Sequence, residues 1–257
     1  MSFPNNPIVN AGLLYVNGLQ IANTTYLTSV STLFLTKGAA RDSTNISDII
    51  LSDTLTLDIK KSGANGLDIG SGAINTCYAV YVIGDSTDNN STAGLFSLAT
   101  SAIPYLPLGY DMYRRVGWIF TDPNVNINHF AQAGNNENRT YYYFGPLNVL
   151  TNGSATTYAP VNLSAFVPPI SGQGITNVNE VLLNVNYTPS SASNRVEFND
   201  FEFAGIIPLG IVQFGTGVAG QQFGSIRVPS QAQQIFYRAQ AGDSVTLNVT
   251  GYTDYLS

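Results

Sequence analysis

The chain has 257 residues, enough for one large β domain or two modest ones. Only 10% of its residues are charged, against roughly 25% in an ordinary soluble domain, while 44% are hydrophobic and 11% aromatic. That content of apolar and aromatic residues excludes a disordered chain, and 10 Lys+Arg against 16 Asp+Glu excludes a protein that neutralises a run of nucleic-acid phosphates.

The opening stretch, MSFPNNPIVNAG, has neither a basic leader nor a long apolar core, so synthesis in a cytoplasm without secretory export is expected. Phe3, Pro4 and Pro7 surround Asn5-Asn6 in a short arm suited to docking on a larger assembly. Asn17-Gly18 then separates Leu13–Val16 from Leu19–Ala22 and predicts a tight hairpin. Leu55, Leu57 and Ile59 alternate with polar residues, as in a half-buried strand. Cys77 to Ile83 is apolar on both faces, the pattern of a covered central strand. Val116, Trp118 and Phe120 share one face, which assigns Trp118 to a core.

Residues 146–176 are rich in Asn, Thr, Ser, Pro and Gly and predict a boundary. Beyond them, Val181, Leu183, Val185 and Tyr187 alternate with polar neighbours, as do Val245, Leu247 and Val249. Asn199-Asp200 interrupts a run in which Val196 and Phe198 fall out of phase with Phe201 and Phe203, predicting a bulge or turn. Ala241-Gly242-Asp243 predicts the turn into the last strand. With 24 Gly, 12 Pro and few helical periodicities, the expected fold is all-β, built of antiparallel β-sandwich or jelly-roll-like domains after an N-terminal arm and hairpin. The expected division is an arm with hairpin at 1–37, a middle β domain at 38–145, a linker at 146–174 and a C-terminal sandwich at 175–257. No apolar run reaches the roughly 18 residues of a membrane-spanning helix.

Chemistry-bearing residues are few. His129 is the sole histidine and no G-x-S-x-G elbow accompanies it, while Cys77 sits in the covered strand and cannot form an internal disulfide. Glu197, Asp200 and Glu202 are the only acids grouped as a glycosidase needs them, yet alternation puts them on the solvent side of a strand. Asp122, Asn124, Asn126 and Asn128 have calcium-loop spacing, but Ile127 replaces the required glycine and Ala133 the closing glutamate, so an ordinary strand is expected. Asp85, Asp88, Asn89 and Asn90 read as a solvated turn. No catalytic residue, cofactor or metal is expected. Tyr141-Tyr142-Tyr143 sends rings to both faces of a strand. Such tyrosines fit either a subunit interface or, beside Asn and Gln, a platform for a host surface glycan.

Five blocks carry a resemblance: GAARDSTNISDIIL (Gly38–Leu51), GANGLDIGSGAINTCYAVYVIGDST (Gly63–Thr87), AGLFSL (Ala93–Leu98), LPLGYDMYRRVGWIFTD (Leu106–Asp122) and GYTDYL (Gly251–Leu256). In this order they resemble virion proteins of tailed bacteriophages, of the tail-fibre, appendage, head-fibre or decoration type. Residues 146–230 lie outside the resemblance. It implies a non-enzymatic structural protein located in the virion, a homo-oligomer and often a homotrimer, that contacts other virion proteins and serves host attachment. A polysaccharide-degrading tailspike is the remaining enzymatic alternative. A virion protein needs no secretory leader, and a neutral polar surface lets identical chains pack without like charges meeting across a symmetry axis.

Overall fold

The computed structural model describes residues 15–25, 30–98, 103–134, 136, 138–169, 179–199, 211–215, 217–230 and 233–256. The protein is all-β, and the described residues contain no helix. None is therefore long and apolar enough to cross a membrane. The first strands are β1 (Val16–Gly18), β2 (Ile21–Asn23), β3 (Thr32–Leu35), β4 (Gly38–Arg41), β5 (Asp48–Leu51) and β6 (Leu55–Asp58). They form two three-stranded sheets, β1-β4-β5 and β2-β3-β6. The pairs Gly18↔Gly38 and Ile21↔Leu35 keep one register, so the two sheets are halves of a single kinked meander.

The kink replaces the expected Asn17-Gly18 hairpin. Asn17 and Gly18 lie inside β1, and the chain continues forward into β2 instead of turning back. Gly18 and Leu19 both take positive φ, at 68° and 52°. This resets the alternation, so that Val16, Leu19 and Ile21 all point into the core although their spacing is uneven. Glycine at 18 is also needed for space: a Cβ there would stand 2.6 Å from the Lys37 carbonyl oxygen.

Next come β7 (Gly66–Leu67), β8 (Cys77–Asp85), β9 (Asp88–Leu98) and β10 (Met112–Phe120), ordered β10-β8-β9-β7. As expected, β8 is buried on both faces from Tyr78 to Gly84. The meander packs across β9, with Leu57 lying where a side chain at Gly94 would stand. Together these strands enclose a first core that includes Leu33, Leu57, Val80, Phe96 and Trp118.

The second half contributes β11 (Phe130–Gly134), β12 (Asn138–Gly153), β13 (Ala159–Asn162), β14 (Asn179–Thr188) and β15 (Val196–Asn199). It is completed by β16 (Val212–Phe214), β17 (Gln222–Ser230), β18 (Gln234–Arg238) and β19 (Ser244–Tyr255). A five-stranded sheet, β11-β12-β19-β14-β17, faces a four-stranded one, β13-β18-β15-β16. Between them the alternating residues of β14 and β19 meet Val196, Phe198, Ile235 and Tyr237 in a second core. This is the expected sandwich packing of two antiparallel layers. The turn at Gly242 carries the chain from β18 in one layer to β19 in the other.

The two cores share strands. Residues 146–153 belong to β12, and the first part of that strand pairs with the last part of β19 beside the first core. Where the sheet passes from one core to the other, β12 places Tyr143 to Pro146 opposite the single Thr250 of β19. Beyond this bulge Tyr252 and Leu256 belong to the first core, while Val245, Leu247 and Val249 belong to the second.

Candidate functional site

The tyrosine run follows strand alternation. Tyr141 is buried and stacks on Tyr252 with ring centroids 4.6 Å apart, and its hydroxyl accepts a hydrogen bond from Gln132 Nε2 at 2.8 Å. Desolvation, strengthened by Asp254, raises its pKa far above the ordinary tyrosine value. Tyr143 also points inward, packs edge-on against Phe120 and donates to the Phe166 carbonyl at 2.6 Å. Tyr142 faces outward and is 40% exposed, as is its neighbour Phe144 at 63%. The three tyrosines therefore form no shared surface.

Glu197 is fully engaged. It pairs with Arg238, whose Nε lies 3.0 Å from Oε2, and accepts from Tyr158 Oη at 3.0 Å and Gln213 Nε2 at 3.1 Å. Asp200 and Glu202, and the expected bulge at Asn199-Asp200, extend outside the described residues, as do Phe3, Pro4 and Pro7. His129 Nε2 lies 2.6 Å from the Thr25 carbonyl oxygen, and its ring packs on Phe144. Cys77 is half-buried against the first core, where desolvation pushes its thiol well above the usual range and Asp254 adds to the effect.

The Asp122 segment is a tight turn and not the expected strand. Asp122 Oδ1 accepts from the backbone N–H groups of Asn124 and Asn126 at 2.7 and 2.8 Å, and Val125 takes φ 59°. The carboxylate is thus occupied by its own backbone, the habit of an Asx turn. Asp85 does the same for Thr87 in the β8–β9 turn. Among the described residues no cluster of three or more His, Cys, Asp or Glu side chains could hold a metal ion.

Several polar contacts join the five resemblance blocks to one another. Arg115 Nη1 reaches Asp254 Oδ2 at 2.6 Å, linking RRVG to GYTDYL, and its guanidinium lies 4.8 Å from the Trp118 ring centre. Burial alone would lower the Arg115 pKa, but the charge and hydrogen bond of Asp254 overcome it and raise the value. Val116 is the bulged residue of β10, and Gly117 leaves the space that the Tyr141 hydroxyl occupies. Asn65 donates to the Gly94 carbonyl at 2.8 Å while its side chain accepts from Gly94 N–H at 2.9 Å, joining the second block to AGLFSL. Asp111 accepts from Ser86 N–H at 2.7 Å, and Ser43 N–H donates to the Tyr113 carbonyl at 2.9 Å. Asp42 closes the GAARDSTN turn by accepting from the N–H groups of Thr44, Ile46 and Ser47. Burial would raise its pKa, but these bonds and the Thr44 hydroxyl lower it.

Sequence reading missed Arg139. It is 1% exposed and has no carboxylate hydrogen-bonded to it among the described residues. Its guanidinium donates to the carbonyls of Leu19 at 2.7 Å, Val116 at 2.6 Å and Gly18 at 2.5 Å. It therefore ties the meander kink and the β10 bulge to the start of β12. Burial lowers its pKa, opposed by Tyr141 and Asp254. An arginine two residues from a tyrosine run carries no sequence signal for this role, because the carbonyls it serves lie about 20 and 120 residues away.

No protein-family model matches the chain. No curated protein matches it either. Among solved structures, the crystal structure of a Bacillus thuringiensis Cry1Da tryptic core variant is 11% identical and covers 93% of this chain, with a TM-score of 0.17. This chain spans 50% of that one, and a likeness at that score carries no argument about fold or activity.

Proposed function

We propose that this chain is a non-enzymatic structural protein of a tailed-bacteriophage particle: a homo-oligomeric appendage, trimeric by resemblance, that attaches through its N-terminal part. One observation carries the reading. The five resembling blocks, although the last lies far from the others in sequence, meet on one core, and their polar residues bond one block to another. The blocks thus behave as the specification of one folded unit, which is what a shared virion module requires. The loops of that unit also leave Ile46, Ile69, Ile74, Ile103, Tyr105 and Leu108 exposed. Apolar side chains presented this way suit burial against a neighbouring subunit or a particle surface.

The test is quantitative mass spectrometry of purified particles. The protein is expected in the virion at a fixed copy number, and its absence from washed particles overturns the proposal. On the order of three to six copies assigns it to the tail or portal vertex, and on the order of a hundred to the capsid surface. Deleting residues 1–12 is expected to abolish incorporation while leaving a folded protein. Full incorporation of that variant would remove the attachment role of the arm.

A further inference from the structure

The outward face of the five-stranded sheet has a chemistry of its own. Strand register brings Asn148, Asn248, Asn184 and Ser225 into one row across β12, β19, β14 and β17. In the next row Asn186 lies between Thr246 and Phe223. The ring of Phe223 is 71% exposed, and beside it Asn184, Asn186, Asn248 and Ser225 line an open groove of about 390 Å³. We propose that this groove binds a neutral glycan, with Phe223 lying against a sugar ring and the three asparagine amides donating to its oxygens.

The hydrogen-bond inventory gives the polarity of the site. Each of these asparagines already uses its carbonyl oxygen: Asn248 accepts from Asn148 at 3.2 Å, Asn184 from Ser225 at 2.7 Å, and Asn186 from Gln221 at 3.0 Å. Their Nδ2 groups have no partner among the described residues. The row is therefore fixed as a set of oriented donors on a rigid sheet, which keeps the ordering cost of binding low. Sugar hydroxyl and acetamido oxygens accept such bonds, and the apolar face of a pyranose matches an exposed aromatic ring. Charge decides between glycan classes. Arg227 and Glu180, the charged residues of β17 and β14, pair with each other at 3.5 Å two strand positions or more away. A sulfated or sialylated sugar thus finds no free cation on these two strands. A second protein chain is the poorer occupant, because an interface centre is apolar and this groove offers one ring, Phe223, among amides.

The test uses the full chain in its native oligomeric state on an array of neutral hexose and N-acetylhexosamine oligosaccharides, with sialylated and uronate-containing glycans alongside. Hits are titrated calorimetrically. Neutral glycans are expected to bind, and Phe223→Ala and Asn184→Ala are each expected to weaken them about ten-fold with unchanged thermal unfolding. Absence of neutral binding, binding only of acidic glycans, or titrations indifferent to both variants would overturn the proposal. A lower oligomer mass for Phe223→Ala would overturn it too, by making the face an interface between copies. Particle incorporation of either variant is expected to be normal, so failure here leaves the virion assignment standing.

Discussion

The two cores reach their structures by different means. The second is specified by alternation: Val181, Leu183, Val185 and Tyr187 on β14 and Val245, Leu247 and Val249 on β19 turn inward, and their neighbours turn out. The first is threaded with buried polar groups, among them Asp42, Ser97, Arg114, Thr121, Arg139 and Asp254. Most of these bond to backbone groups or to an opposite charge contributed by a distant segment. A buried polar group costs stability unless its specific partner is present, so such a core tolerates few substitutions. An alternating core accepts many apolar combinations of the right volume. The first core is therefore expected to be the less tolerant of substitution, and the second the more.

Arg139 is the sharpest place to break this contrast. Arg139→Met is expected to destabilise the protein by about 3–5 kcal/mol, because two buried carbonyls and one half-buried one lose a charged donor at once. Arg139→Lys keeps the charge but cannot fork to carbonyls on separate segments, so much of the loss should remain. Denaturant unfolding measures both. A near-neutral lysine variant would show that charge alone, and not the fork, holds the kink.

The Arg115–Asp254 pair tests the same idea across 139 residues of sequence. Arg115→Met or Asp254→Asn alone should cost about 3 kcal/mol, since either leaves an unpaired group in the core. The double variant should cost well under the sum of the two. Additive losses in the thermodynamic cycle would mean that the pair is not what joins the last strand to β10.

How legible these features were follows from their range. The alternating strands were readable because each residue's burial depends on its immediate neighbours, and the split of Tyr141, Tyr142 and Tyr143 follows from the same rule. The Asn17-Gly18 kink was misread as a hairpin. Gly18 does take positive φ, but whether the chain turns back or merely bends depends on the pairing of β1 with Ala39 and Ala40. The Asp122 turn was misread as a strand because Val125 seldom adopts φ 59° without a neighbouring side chain to hold the loop. Arg139 and the amide row were invisible, since both exist only once strands distant in sequence are in register.

Asp243 is a polar lock in the second core's half of the molecule. Its carboxylate accepts from Tyr187 Oη at 2.5 Å, Ser190 N–H at 2.7 Å and Asn194 Nδ2 at 2.9 Å. Burial would raise its pKa, but these bonds hold it at about 2, below the usual 3.8. A pKa depressed on folding stabilises the native state above the unfolded value, and that contribution disappears as pH falls through the folded one. The sandwich should therefore lose about 2 kcal/mol between pH 4 and pH 2. Asp243→Asn should be less stable than the parent at pH 6 and should converge with it near pH 2. Parallel unfolding curves at both pH values would contradict the lock.

The smallest effect completes the contrast. Leu247→Met in the second core conserves volume and touches no polar partner, so a loss of less than about 1.5 kcal/mol is expected. In the first core, Gly117→Ala adds a single methyl, yet its Cβ would stand 2.5 Å from the Tyr141 hydroxyl and 2.9 Å from Ile21 Cδ1. To make room, Tyr141 must shift, although its ring is stacked on Tyr252 and its hydroxyl is held by Gln132. One methyl at 117 should therefore cost more than the exchange of a whole side chain at 247. If thermal unfolding ranks the two variants the other way, the first core is as plastic as the second, and its buried polar groups do not confer the rigidity inferred from them.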